Sequence, residues 1–292
     1  MRSLPDGEVR VRALENHWLQ IGSGRSTFKL AAMAKDNFPA LPAVPPALAE
    51  VRAGTLGGLI DRTAFAMSNE ESNYTLNGAL LVLRPGKIEM VATDGSRLSL
   101  AGPEVEVAGL KNEERMLLPG RALAALRRLA DAQESDTPIK IARDDSHLFF
   151  SAGDSIVITR LISGQFPNYQ LLLPESADHE LRVEREELAD VVRRVSLLAQ
   201  RNAPLRLAFS EGQLMVSAYT PDVGEAREAL PLPFSGEPFE IGFNAEFLRD
   251  GLESVDSPDV VIKLTGPLRP GLIESADGGE FVYLVMPIRL NT

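Results

Sequence analysis

The segment from Pro138 to Pro174 reads PIKIARDDSHLFFSAGDSIVITRLISGQFPNYQLLLP, and an earlier one, from Glu8 to Pro42, reads EVRVRALENHWLQIGSGRSTFKLAAMAKDNFPALP. Each reads as three short strands closed by a Phe-Pro pair. Setting Phe38 on Phe166 places Ser23 on Ser151, Phe28 on Ile156 and Leu30 on Ile158, so the alternating positions of the last strand coincide. Around this match a longer self-similarity emerges, with a period of about 120 to 130 residues. A helix expected near 54–68 answers one near 185–200, and the hairpin LLVLRPGKIEMVAT answers LRLAFSEGQLMVSAY. Their turns, Arg84-Pro-Gly-Lys and Ser210-Glu-Gly-Gln, carry the glycine that tight connections favour. Later, the helix opened by Pro119 answers one starting near Asn244, and the final strands end in FVYLVMPIRL. The expected repeat is strand, helix, several strands, helix, several strands. The first 40 or so residues read as the closing third of another repeat, or as an unrelated extension.

The composition bounds what such a repeat can do. The 292 residues, 44% hydrophobic and 24% charged, supply about two cores at roughly 150 residues each. Cysteine is absent, which removes disulfides, thiolate metal sites and a cysteine nucleophile, and fits a cytoplasmic protein. Neither a signal-length apolar run nor a membrane-length one occurs. The formal net charge of -11 argues against a surface that coats nucleic acid, so any DNA contact must be a local basic lining.

Two helices offer such a lining. From Leu188, the residues Val191, Val192, Val195, Leu198 and Ala199 form one apolar stripe, leaving Arg193 and Arg194 on the other side. After Pro119, Leu123, Leu126, Leu129 and Ala130 form a stripe opposite Arg121 and Arg128. On the residues alone these arginines read rather as ordinary solvated surface, and the helix from Asn244 shows no basic face.

Five separated motifs carry a family resemblance. Leu76-Asn-Gly78, Val91-Ala-Thr-Asp-Gly-Ser-Arg-Leu98, Phe166-Pro-Asn-Tyr169 with Pro174, Ile241-Gly-Phe-Asn244 and Val285-Met-Pro-Ile-Arg-Leu290 resemble, in order and spacing, motifs of the bacterial DNA polymerase III beta sliding clamp. The resemblance implies an α+β DNA clamp fold of repeated domains, each with two inner helices and two outer antiparallel sheets, six to a ring around duplex DNA. It divides the chain into closing strands of a truncated first domain (1–45), a middle domain (46–174) and a C-terminal domain (175–292). It also implies a non-catalytic processivity factor with no cofactor and no metal. The implied partners are duplex DNA bound without sequence preference, the polymerase alpha subunit, the clamp loader and other clamp-binding-motif proteins. Further copies of the chain would complete a ring, a dimer in the full-length family and a trimer as a possibility here. The alternative is a truncated clamp that binds clients without encircling DNA, as a decoy or fragment.

The family's peptide-binding cleft carries over to Leu76, Thr93, Gly95, Arg97 and Leu98, to Pro167 and Leu172, and to Met286, Pro287, Ile288, Arg289 and Leu290. Arg97 is expected to donate to the client, and truncating Leu98 with Met286 is expected to abolish binding at little cost in stability. By residues alone, Met286–Leu290 read rather as a last core strand, and the concurrence of the other motifs reverses that reading. The same carry-over makes Arg121 and Arg128 channel-lining residues. Ser96 stands where many members have histidine, Asn73 and Leu171 where arginine is common, and Asn291-Thr292 follow the usual terminal leucine.

Catalysis finds little support. The three histidines, His17, His147 and His179, lack ligand spacing, and no HExxH, GxSxG or paired-cysteine motif occurs. Gly22-Ser-Gly-Arg-Ser26 lies between strands and lacks the P-loop lysine, so it reads as a turn. Asp94, followed by glycine after a strand, reads as a turn as well.

Overall fold

A computed structural model describes residues 4, 6–38, 40–174, 176–199, 203–278 and 280–290. The chain divides into two compact units, Met1–Val44 and Pro45–Thr292.

The smaller unit is an antiparallel sheet of β1 (Val9–Leu14), β2 (Trp18–Ser23) and β3 (Ser26–Ala31), in that order. Its register aligns Val11, Ile21 and Phe28 on one face, with Ala13, Leu19 and Leu30 beside them. The opposite face is polar, with Arg12, Gln20 and Lys29, and Lys29 caps the Trp18 ring at 4.9 Å.

The larger unit contains the repeat twice, element for element. The first copy runs β4 (Ala49–Arg52), α1 (Ala53–Thr63), β5 (Gly78–Arg84), β6 (Lys87–Thr93), β7 (Arg97–Ala101), β8 (Glu114–Pro119), α2 (Gly120–Asp131), β9 (Pro138–Arg143), β10 (His147–Ala152) and β11 (Ser155–Arg160). The second runs β12 (His179–Glu184), α3 (Arg185–Ser196), β13 (Pro204–Ser210), β14 (Gln213–Thr220), β15 (Gly224–Pro231), β16 (Phe239–Asn244), α4 (Ala245–Glu253), β17 (Asp259–Leu264), β18 (Gly271–Ser275) and β19 (Phe281–Val285). The helices pack in pairs, α1 on α2 and α3 on α4. Asn244 caps α4, its side-chain oxygen accepting from the backbone N–H of Glu246 at 2.8 Å and of Phe247 at 3.3 Å.

The hairpin turns follow the sequence reading: Arg84 pairs with Lys87 around Gly86 at φ 80°, and Ser210 with Gln213 around Gly212 at φ 69°. The sequence register between the N-terminal strands and their later counterpart is corrected by one residue. Ser23 pairs with Ser26 as Ala152 pairs with Ser155, so Phe28 corresponds to Val157 and Leu30 to Thr159, not to Ile156 and Ile158. The connection from strand to Phe-Pro is one residue longer after the N-terminal strands, Ala31 to Phe38 against Arg160 to Phe166. Because side chains alternate with a period of two, anchoring on Phe-Pro swaps the faces.

The two repeats share one eight-stranded sheet, β12-β17-β18-β19-β7-β6-β5-β8, joined where β19 pairs antiparallel with β7 from Phe281↔Ala101 to Val285↔Arg97. This sheet explains the unbroken apolar run of the first hairpin, whose strands are buried on both faces. Leu81 and Leu83 join the main core, while Leu80, Val82 and Val91 join a second cluster with Leu98, Phe166, Tyr169 and Leu284. The Phe-Pro-Asn-Tyr motif is therefore a plug. Phe166 and Tyr169 press the connection between repeats onto the sheet, and the Tyr169 hydroxyl lies 3.3 Å from a buried Glu89 carboxylate oxygen. Arg84 and Lys87 pair with Glu89, so its charge does not sit alone in the core. No helix among the described residues is long and apolar enough to cross a membrane.

Candidate functional site: an apolar cleft at the joint of two repeats

Where the repeats meet, a cleft of about 690 Å³ opens over the β7–β19 seam. Leu76, Thr93, Gly95, Arg97, Leu98, Pro167, Leu172 and Met286 all line it, though they come from widely separated stretches of chain. Leu171, Leu173, Pro174, Ser176 and Leu284 complete the same walls. The far side is Thr265, Leu268, Arg269 and Pro270, on the turn between β17 and β18, which the motifs in the sequence do not reveal. Its one signal is an exposed leucine framed by Pro267 and Pro270. A mostly apolar hollow with a few fixed polar groups suits a short peptide or a small ligand.

The last residues depart from expectation. Met286 enters the cleft, its backbone N–H donating to Ser96 O at 2.8 Å. Pro287, Ile288, Arg289 and Leu290 do not line it. The chain turns along β16, where Ile288 bridges Gly242 (N–H to O 2.7 Å), and Arg289 and Leu290 line a separate groove with Arg206 and Tyr219. The second repeat's own backbone satisfies this segment, so its hydrogen-bonding edge follows Gly242 and carries it away from the seam. Asn291 and Thr292 lie outside the described residues.

Leu98 lines the cleft as expected, but its truncation is not expected to be cheap in stability. It is only 1% exposed and belongs to the cluster beneath the sheet, whereas Met286 is 43% exposed and Leu172 49%. The cleft surface a ligand can cover thus includes Leu171, Leu172, Leu268 and Met286, with Leu98 as floor.

The tip between β6 and β7 is held by its own residues. Asp94 Oδ1 accepts from the N–H groups of Ser96 (2.9 Å) and Arg97 (3.0 Å), which makes Asp94 the turn residue its sequence context indicates. Gly95 adopts φ 92°, a region glycine favours, and Thr93 Oγ1 donates to Arg97 O at 2.6 Å. Arg97 reaches the cleft wall with three of its N–H groups already engaged. Its Nε donates to Asp94 Oδ2 (3.0 Å), Nη1 to Asp250 Oδ2 (2.6 Å) and Nη2 to Phe65 O (2.9 Å). Its guanidinium also lies over the Phe247 ring at 4.4 Å. Beside it, burial pushes the Tyr283 phenol well up, against the opposing pull of the Arg97 charge.

The basic helix positions separate into two groups. Arg121 and Arg128 are exposed on α2 and make no ion pair among the described residues, while their neighbour Arg127 is tied to Asp61 at 2.7 Å and to Asp131. Arg193 and Arg194 are exposed, as helix phase predicts, but both are paired: Arg193 with Asp190 at 2.7 Å, Arg194 with Glu228 at 2.6 Å. Helix phase cannot see Glu228, which arrives from β15. Their positive charge is therefore locally offset, unlike that of Arg121 and Arg128.

Duplicated strand-helix-sheet repeats fused through one sheet, with an apolar cleft on the fusion seam, define a clamp-type α+β protein. Models of the DNA polymerase III beta subunit match residues 50–168 (central domain) and 170–289 (C-terminal domain). The chain belongs to the DNA polymerase III beta subunit family. The beta sliding clamp of Synechococcus elongatus is 33% identical over 94% of this chain and 74% of its own length. The solved DNA polymerase III subunit beta of Pseudomonas aeruginosa superposes with a TM-score of 0.90 at 30% identity, covering 99% of this chain and 79% of its own. The sliding clamp of Bartonella birtlesii, solved bound to griselimycin, gives 0.90 at 32% identity, covering 99% and 78%.

Proposed function

We propose that this chain is a sliding clamp, a non-catalytic processivity factor that tethers the replicative polymerase and other clients to duplex DNA. The observation that carries this reading is the cleft of Leu76, Leu172, Leu268 and Met286 on the seam between the two matched family domains. Aliphatic walls of this kind bury a client's Leu or Phe for roughly 1.5 to 3 kcal/mol per side chain, and Met286 adapts to varied partners. The domain division that goes with this reading is 1–45, 46–174 and 175–292. Arg121 and Arg128 are its phosphate contacts, sequence-blind and salt-sensitive as sliding requires. Copies of the chain would assemble into the ring, and the site of action would be the bacterial nucleoid in the cytoplasm. Primer extension by a bacterial polymerase III core with its clamp loader tests the reading. Added chain should lengthen products at a fixed number of binding events; products of unchanged length would refute it.

A second reading, client binding without encirclement, is favoured by the charge on the second repeat's helices. Arg193 and Arg194 are offset by Asp190 and Glu228, and α4 carries Glu246, Asp250 and Glu253 against Arg249. Sedimentation over a range of concentrations separates the two. A closed oligomer supports the ring, and a monomer throughout supports the second reading.

A further inference from the structure

The two walls of the cleft belong to different repeats. Thr93 and Leu98 stand on one side, Leu268 and Met286 on the other, so the cleft's width is set by whatever fixes one repeat against the next. The β7–β19 pairing fixes the backbones along the seam. Among the side-chain contacts between the repeats, the one that involves a cleft-lining residue and is well shielded is that of Arg97 of β7 with Asp250 of α4, Nη1 to Oδ2 at 2.6 Å. The pair is well shielded, with the Arg97 side chain 10% exposed and that of Asp250 21%. The same guanidinium holds the Asp94 turn, Phe65 O and the face of Phe247, so one side chain joins the cleft's tip, the end of the first repeat's helix and the second repeat's helix. Asp250 itself does not touch the cleft. It opens on a different hollow between α1 and α4, with Gly58, Asp61 and Glu253.

We propose that Asp250 is a positioning residue for the client cleft, acting through Arg97 to hold the two walls at binding distance. This rests on the cleft being the client site. Pre-organised walls lose less freedom when a client docks, and a loosened seam must be re-ordered by the client at the expense of affinity. Arg is suited to this because its planar fork satisfies several acceptors at fixed angles, which a lysine ammonium cannot copy.

The test is a fluorescence-anisotropy titration of a labelled peptide from a replicative polymerase's clamp-binding segment, on the whole chain. Asp250→Asn should weaken binding by about tenfold, although residue 250 lies outside the cleft. Asp256→Asn is the control: that carboxylate is 74% exposed and pairs across the same seam with Arg62, so affinity should stay within about twofold of wild type. In an Arg97→Gln background, Asp250→Asn should add less than about twofold, since the path is already cut. Hydrogen exchange should quicken at the amides of Arg97–Ala101 and Phe281–Val285 and not in β13–β14; faster exchange throughout Asp250→Asn would mean a general structural role and would overturn the inference. Unchanged affinity in Asp250→Asn, or an effect that adds independently of Arg97, overturns it too. Failure of the wild-type chain to bind the peptide overturns the cleft reading first, and this inference with it.

Discussion

Truncating Leu172 and Met286 together to alanine removes one exposed apolar side chain from each side of the cleft while leaving the part that the fold uses. Both side chains are about half exposed in the free protein, 49% and 43%, so a client can bury only the remaining half of each. Full burial of such a side chain is worth about 1.5 to 3 kcal/mol, so the exposed halves contribute about 0.7 to 1.5 kcal/mol each and roughly 1.5 to 3 together. At a factor of ten per 1.4 kcal/mol, the dissociation constant of a clamp-binding peptide should rise about ten- to a hundredfold. Stability should change little, because neither side chain is fully packed in the core. Leu98 behaves differently: at 1% exposure its truncation opens a cavity and costs about 2 to 5 kcal/mol of folding energy, which confuses affinity with unfolding. The assay pairs an anisotropy titration with a thermal melt of each variant. An unchanged melting midpoint with affinity within about threefold of wild type would refute the assignment of these walls to the client.

Charge makes two further predictions. Arg121→Glu with Arg128→Glu should weaken duplex DNA binding for all sequences alike and lower the slope of log affinity against log salt by about 1 for each phosphate no longer neutralised; an unchanged slope, read by filter binding, would remove both from the DNA path. At low pH the plug beneath the cleft should loosen: burial alone would raise the Glu89 pKa, but the hydrogen bonds and charges of Arg84 and Lys87 hold it below the ordinary carboxylate value. Its contribution to stability is therefore present above the unfolded-state value, about 4.3, and lost as pH falls through the lower folded value. Urea melts of Glu89→Gln should accordingly show a weaker acid dependence than wild type, and identical slopes would contradict this.

The repeat is legible because hydrophobic periodicity and turn glycines are local signals. The succession of strand, helix, several strands, helix and several strands follows from them in both copies, and the structure sets the counts at four and three. Register is less legible, since one added residue between Ala31 and Phe38 is invisible until hydrogen-bonded pairs are seen. For the cleft, motifs on the seam strands and the Phe-Pro plug carry most of the wall. Two features depend on partners distant in sequence: Arg97 commits N–H groups to Asp250 and Phe65, and Arg194 of α3 meets Glu228 of β15. The path of Pro287–Leu290 is equally hidden, because it is set by pairing with Gly242 rather than by the residues themselves.

The proposed clamp would hold clients on DNA by topology. The most direct test is retention of the labelled chain, placed by a clamp loader, on nicked circular DNA followed by linearisation. The account predicts that protein stays on the circle through a high-salt wash and leaves when a free end is cut. Loss from the circle as fast as from the linear form would contradict encirclement and leave client binding as the activity of the cleft.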